Sequence, residues 1–303
     1  MKNSKAFTLV ELMAVIVIIS LIALLTFPNI INQIKKTKKS NNKMIEDVVI
    51  EQAKKYVHDN PNDFDSDTYF VSIKDLIDND YVKEELIKNS NDDISEKYVQ
   101  YDDDKYYITD NAFKRITYIE STGTQYIDTK YLTNANSKFK IEYSVTGYVS
   151  AGANTIHAVF GDTTDYKGYQ LYNLKISASD TSNFRPGVRM SSDYRVSTLS
   201  LKMNTRHIVT LKNGELIYDG TYYEIGNYIS PGDYNLFLFV RNNINPSSQR
   251  KSILKVYYFS IYEGKNIIRD FIPVLDSKGV ACLYDKVEGK FYYNQGTGEF
   301  LYG

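Results

Sequence analysis

Residues 5–31 read KAFTLVELMAVIVIISLIALLTFPNII, and the organisation of the whole 303-residue chain follows from them. From Leu12 to Ile31 no side chain is charged, and Ser20, Thr26 and Asn29 are the only clearly polar members. Those residues, at about 1.5 Å of helical rise each, cover the ~30 Å hydrocarbon core of a bilayer. A single carboxylate, Glu11, stands at the edge of the run. An ionisable group beside or within lipid costs roughly 2.5–3.5 kcal/mol on insertion scales, so it reads as functional, with a partner to be named. A cleaved secretory signal fits poorly. Its apolar core spans about 7–15 residues and ends on small side chains, whereas this run is longer and closes on Phe27-Pro28-Asn29. Lys2 and Lys5 precede the span while Lys35, Lys36, Lys38 and Lys39 follow it, so the count of flanking positive charges alone points to the opposite orientation from the one adopted below.

Charge divides the rest of the chain into blocks. Residues 1–58 hold nine Lys against four acids, a net of +5. Residues 59–110 hold sixteen acids against five Lys, a net of −11, and residues 111–303 hold twenty-two Lys and Arg against seventeen acids, again +5. An acidic belt between two mildly basic parts reads as a solvated middle, and no nucleic-acid partner is expected. Cys282 is the only cysteine, so no intrachain disulfide forms and a hydrophobic core must hold the last block.

Beyond Pro28 an amphipathic helical face continues through Ile30, Ile34, Met44, Ile45, Val48, Val49, Ala53 and Tyr56, weakened in its middle by Ser40, Asn41 and Asn42. A helix over 7–58 would be about 78 Å long, more than a small head can bury. Pro28 removes a backbone donor and is expected to kink or locally melt it, the alternative being a marker of the membrane exit. Asn60-Pro61-Asn62-Asp63 reads as the stop, and Ser72 as the cap of a short helix. Short strands follow over 97–101 and 106–109, joined by Asp102-Asp103-Asp104-Lys105. No cofactor is implied; this turn reads as a hairpin tip, the less favoured alternative being that its adjacent carboxylates offer the oxygen ligands that Ca²⁺ prefers.

The stretch Lys5-Ala6-Phe7-Thr8-Leu9-Val10-Glu11-Leu12-Met13 resembles the processing site of type IV prepilins and pseudopilins. The resemblance implies a leader peptide over 1–6, cut between Ala6 and Phe7 by a prepilin peptidase, with N-methylation of Phe7. It implies that Glu11 neutralises the amino terminus of a neighbouring subunit during assembly, and that Pro28 is the helix-kinking proline of pilins. The family usually has Gly where this chain has Ala6. The partners implied are the peptidase, other pilin subunits and membrane lipid. The protein would sit first as a single-pass protein of the cytoplasmic membrane and then at the cell surface or in a pilus. Residues 59–112 resemble a minimal pilin head.

From Arg115 onward the chain changes to strand-length runs broken by turns: 117–120, 126–131, 138–146, 156–161, 169–176, 187–190, 206–212, 215–219, 235–241, 253–263, 266–274, 281–285 and 290–293. Asn213-Gly214 is a two-residue hairpin signal, and Asp219-Gly220 and Glu263-Gly264 mark further turns. The fold class expected is α+β: a long transmembrane pilin helix with a small head, then an all-β jelly-roll sandwich over 115–303. Gly123-Thr124-Gln125-Tyr126-Ile127-Asp128-Thr129, residues 206–214, Arg269-Asp270-Phe271-Ile272-Pro273-Val274, Leu283-Tyr284-Asp285 and Phe291-Tyr292-Tyr293-Asn294 resemble laminin-G-like and concanavalin A-like domains.

No catalytic residues emerge. Glycoside hydrolysis needs two carboxylates about 5–10 Å apart, and no Glu-x-Asp-x-Glu pattern occurs; Asp270 and Asp276 are separated by an apolar strand and Pro273. His157 and His207 stand apart from any Ser or Cys motif, and Cys282 reads as a small buried residue. Tyr166, Tyr169, Tyr172, Tyr222 and Tyr223 are the sort of aromatics that stack on sugars, but alternating Tyr in a sandwich more often packs in the core, so no ligand site is assigned. The leading reading is a minor pilin or pseudopilin that displays a surface- or carbohydrate-binding sandwich, and it is not an enzyme. The alternatives are a secretion or DNA-uptake pseudopilin with the sandwich as a cap, and, less favoured, a surface-tethered glycan hydrolase.

Overall fold

The computed structural model describes residues 9–64, 67–88, 90, 93–149, 155–162, 167–179, 182–190, 193–195, 199–227, 234–242 and 250–303, with side chains at 10, 21–30 and 193–195 left out. The chain forms two compact units, one of Met1–Ser66 with Phe70–Asp110 and the other of Asp67–Tyr69 with Asn111–Gly303.

The first unit is built on one helix, Leu9–Asp59, 51 residues and about 76 Å long at the usual rise. Its backbone passes position 28 without interruption, so the local melting expected at Pro28 does not occur. Nor do Ser40, Asn41 and Asn42 break it; they are polar and largely solvent-facing, and intrinsic propensity is a weak prior. Ile45, Val49 and Ala53, four residues apart, form a buried stripe packed with Val71, Ile73, Leu76, Val82, Ile87 and Val99. Met44, Val48 and Ile34, expected on that face, stay exposed, because the buried face turns the other way, toward Ile50, Tyr56 and Val57, and Ile34 lies more than two turns before its first member, Ile45. Asn60 closes the helix: its backbone N–H and its Nδ2 both donate to the Tyr56 carbonyl, at 3.1 and 2.8 Å. Ser72 caps the short helix Ile73–Asp78 by accepting from the Asp75 N–H at 3.1 Å.

Tyr98–Asp102 is the central strand of a three-stranded sheet, with Tyr69–Ser72 on one side and Lys105–Thr109 on the other. The turn between Tyr98–Asp102 and Lys105–Thr109 is Asp103-Asp104, both at positive φ (49° and 60°), which is the type I′ geometry that suits a two-residue hairpin. This is the hairpin tip expected, with Asp104 accepting from the Tyr101 hydroxyl at 3.0 Å. Among the described residues no three His, Cys, Asp or Glu side chains gather as a metal site.

The second unit is two antiparallel sheets facing each other across one core. The larger runs, in spatial order, Thr221–Glu224, Glu215–Tyr218, His207–Lys212, Ser137–Gly147, Ile253–Glu263, Asn266–Asp276, Ala281–Asp285 and Lys290–Tyr292. Ile119–Thr122 pairs the first half of Ile253–Glu263, Leu301–Tyr302 pairs Ile119–Thr122, and Phe113–Arg115 pairs the end of Asn266–Asp276. The smaller runs Asp193–Arg195, Asn183–Arg189, Gln170–Lys175, Ile156–Gly161, Phe237–Leu238 and Ile127–Asp128, with Leu201–Lys202 beside Asn183–Arg189. Period-two alternation turns Phe139, Ile141, Tyr143 and Val145 inward, and Phe139 meets Phe160 of the other sheet with ring centroids 5.1 Å apart.

Several strands depart from expectation: 235–241 shrinks to Phe237–Leu238, and Phe113–Arg115, Asp193–Arg195, Leu201–Lys202, Thr221–Glu224 and Leu301–Tyr302 were not expected. The reading 126–131 shrinks to Ile127–Asp128, because Lys130 adopts φ 55° and turns the chain. The reading 187–190 lengthens to Asn183–Arg189 and takes in Pro186. On one side Pro186 faces Asn173; on the other, Leu201–Lys202 pairs residues 183–184 and Asp193–Arg195 pairs residues 187–189. Pro186 thus sits beside the gap between two short partners, where a missing N–H is tolerated.

Candidate functional site

The expected cleavage residues Ala6 and Phe7 lie outside the described residues. Glu11 is exposed in the first turn of Leu9–Asp59, where the positive end of the helix dipole favours a carboxylate. Around it Leu9, Leu12, Met13 and Val15, Ile16, Val17, Ile18 and Ile19 are all about half exposed or more. Five consecutive residues point in every direction around a helix, so this is an apolar cylinder and not a stripe. The exposed Ser20 hydroxyl donates back to the Ile16 carbonyl at 2.7 Å, so its proton needs no partner outside the helix. The backbone at Pro28 is helical, and its side chain is among those left out. Among the described residues no helix is long and apolar enough to cross a membrane; the side chains at 21–30, half of the expected span, are not part of that set.

The sandwich carries buried polar groups without a catalytic grouping. His157 is buried in Ile156–Gly161 with Nε2 3.3 Å from Thr155 Oγ1, and burial pushes its pKa down to about 4. His207 is buried in His207–Lys212 and its Nδ1 lies 2.7 Å from Asp219 Oδ2; the other Asp219 oxygen accepts from the Ile208 N–H at 2.8 Å. This His–Asp pair joins a strand to the turn after Glu215–Tyr218, and among the described residues no Ser or Cys side chain is seen bonded to the imidazole. Cys282 is buried, and burial raises its thiol pKa, so it is inert as expected of a small core residue. Tyr169 and Tyr172 are core residues, Tyr222 is exposed on the outermost strand of the larger sheet, and Tyr166 is outside the described residues. Asp276 accepts from the Lys278 and Val280 N–H groups and from the Tyr293 hydroxyl, all at 2.9 Å, and so anchors a turn.

One cluster went unread in the sequence. Arg269 Nη1 lies 2.7 Å from Glu288 Oε1 and its Nε 3.6 Å from Asp285 Oδ2. Asp285 is fully buried and accepts from the Asp270 and Val287 N–H groups at 2.8 and 3.1 Å, while burial raises its pKa. No local spacing marks these residues. Pairing of Asn266–Asp276 with Ala281–Asp285, which sets Phe271 opposite Asp285, is what brings them together.

No curated protein matches the chain. Among solved structures, the crystal structure of an HCR/D mutant aligns at 12% identity and a TM-score of 0.29, over 55% of this chain and 46% of that one. The chain therefore spans less than half of that structure, and so weak a superposition carries no argument. The family model for the prokaryotic N-terminal methylation motif matches residues 1–27. The chain thus opens with a type IV prepilin-type start, joined to a helix and an all-β sandwich.

Proposed function

We propose that this protein is a minor pilin or pseudopilin, cut between Ala6 and Phe7, N-methylated on Phe7, and assembled through Glu11 into a filament that displays the sandwich outside the cell. The observation that carries the reading is the methylation motif over 1–27 running directly into a 51-residue helix. An apolar cylinder of this kind is unfavourable in water by about 25 cal/mol per Å² and needs lipid or neighbouring helices around it. Residues 12–31 serve as the membrane anchor before assembly, with Pro28 at its far end. Glu11 at the edge of that surface favours packing against a subunit whose terminal ammonium offsets its charge. Residues 59–112 act as a small pilin head. The sandwich, read as laminin-G-like or concanavalin A-like, serves as a surface- or carbohydrate-binding module, and no catalytic role is proposed.

The test is mass spectrometry of the mature amino terminus in cells with an active prepilin peptidase. N-methyl-Phe7 is expected; an intact Met1 would sink the reading. Glu11→Ala is expected to leave membrane insertion intact while removing the protein from sheared filaments.

A further inference from the structure

The terminal strands of the two sheets, Ile127–Asp128 in the smaller and Lys290–Tyr292 in the larger, come together at one edge of the sandwich. Their junction is pinned by the Gln295 N–H on the Tyr126 carbonyl (2.9 Å), the Tyr126 N–H on Asn294 Oδ1 (3.1 Å) and Arg269 Nε on the Thr129 carbonyl (3.3 Å). Between them opens a cleft of about 440 Å³, lined by Asp128, Lys130, Arg269, Glu288, Lys290, the aromatic run 291–293 and Gln295. That volume falls within the roughly 300–1,000 Å³ of small-ligand sites.

The cleft's two carboxylates are already engaged. Asp128 Oδ1 takes the Lys130 N–H at 2.9 Å, and Oδ2 takes Lys130 Nζ at 2.6 Å and Asn235 Nδ2 at 3.3 Å. Glu288 Oε1 holds Arg269, and Oε2 accepts from the Tyr292 hydroxyl at 3.0 Å. Its donors are in surplus. An ammonium has three N–H groups. Lys130 Nζ engages one carboxylate oxygen, and the contact of Lys290 Nζ with Glu288 is 3.7 Å, longer than a hydrogen bond. Both lysines are mostly exposed, whereas Arg269 is nearly buried and held from behind by Asp285 and Glu288. The lining carries three cations and two anions. Tyr293, partly exposed, is among the residues lining this cleft, and an aromatic ring can pack on C–H groups.

We infer that this cleft binds an acidic saccharide, with Lys130 and Lys290 donating to its carboxylate or sulfate oxygens and the aromatic wall packing on the sugar ring. The inference rests on the binding-module part of the proposed function and names its site. Both sources of negative charge share the same acceptor chemistry, and the experiment separates them.

Full-length protein in detergent is to be titrated with oligogalacturonate (carboxylate), dextran sulfate oligomers (sulfate), isomaltooligosaccharides (neutral) and oligothymidylate. Binding to one or both acidic sugars is expected, weakening as salt rises, with a loss of at least about tenfold in K130A/K290A and in Tyr293→Ala. Retention of the wild-type melting profile checks folding; Lys130 and Lys290 are exposed, so the double variant is expected to pass. Tight binding that survives both variants would place the ligand elsewhere and overturn the cleft while sparing the module. Equal binding of neutral sugars or of oligothymidylate would overturn the ligand class. Silence in every arm would overturn cleft and module together. The amino-terminal processing assay stands apart from all of these outcomes.

Discussion

Tyr143 and Tyr218, 75 residues apart, place their hydroxyls 2.9 Å from each other inside the sandwich. Tyr143 also lies 2.9 Å from Asn173 Oδ1, to which it donates its single proton, so Tyr218 must be the donor to Tyr143. Burial raises both phenol pKa values well above the ordinary range, and the pair stays neutral. This chain of hydrogen bonds ties Ser137–Gly147 and Glu215–Tyr218 of the larger sheet to Gln170–Lys175 of the smaller.

The order of donors makes the two tyrosines unequal. Tyr143→Phe leaves both the Tyr218 O–H and the Asn173 oxygen unmatched in the core, which is expected to cost about 2–4 kcal/mol. Tyr218→Phe leaves only a lone pair of Tyr143 unmet, and about 1 kcal/mol is expected. Urea unfolding of the two variants checks the inequality. Equal losses would show that the proton order is wrong.

His157 gives the sandwich an acid-sensitive term. Its folded pKa is lowered to about 4 by burial first, and then by the charges of Lys175 and Arg250. Between pH ~6.5 and ~4 the unfolded chain binds a proton that the folded chain refuses, so stability falls as pH falls through that window. A shift of this size corresponds to ~3 kcal/mol at about 1.36 kcal/mol per unit. Relative to wild type, His157→Gln is expected to gain stability progressively from pH 7 to pH 4. A constant difference across that range would refute the assignment.

Gly187 is opposite Tyr172 in the register, and a Cβ there would meet the tyrosine ring at 2.3–2.4 Å. Tyr172 is fully buried and its ring has no room to withdraw. Gly187→Ala is therefore expected to destabilise by about 1–3 kcal/mol through overpacking. In a Tyr172→Ala background the same change should cost well under 1 kcal/mol, and a double-mutant cycle measures the difference. Additive effects would place the strain elsewhere.

Ser72 is the amino-terminal side-chain cap of Ile73–Asp78, a helix of six residues whose other end is closed by Asn79 Nδ2 donating to the Asp75 carbonyl at 2.8 Å. So short a helix depends on its cap and on the packing of Ile73 and Leu76. Ser72→Ala is expected to cost about 1 kcal/mol, and Ser72→Asp to restore it. Hydrogen exchange of the Asp75 amide reads the effect locally.

The amino-terminal methylation motif was legible because its signals are local. A charged pair, Ala6-Phe7, Glu11 and a long uncharged run need no partner in space to be recognised. The Arg269–Asp285–Glu288 cluster and the cleft beside it were not legible. Their residues come from strands whose pairing the sequence does not print, and the nearest cross-strand neighbours of Lys290 and Asp128 lie in separate sheets. The turn at Asp103-Asp104 was legible as a hairpin tip, and its two positive φ angles agree with that reading.

By itself the sequence determined the long helix, its apolar start with Glu11 at the edge, most strand positions and the Asp219-Gly220 turn, because apolar run length, period two and turn chemistry are set within a few residues. Tertiary structure decided which helix residues are buried, why Pro186 is tolerated inside a strand, which tyrosine donates to which, and where two terminal strands leave a cleft. Those outcomes depend on register, and register is an agreement between segments far apart in the chain. A shift of one residue would turn every side chain of a strand to the opposite face.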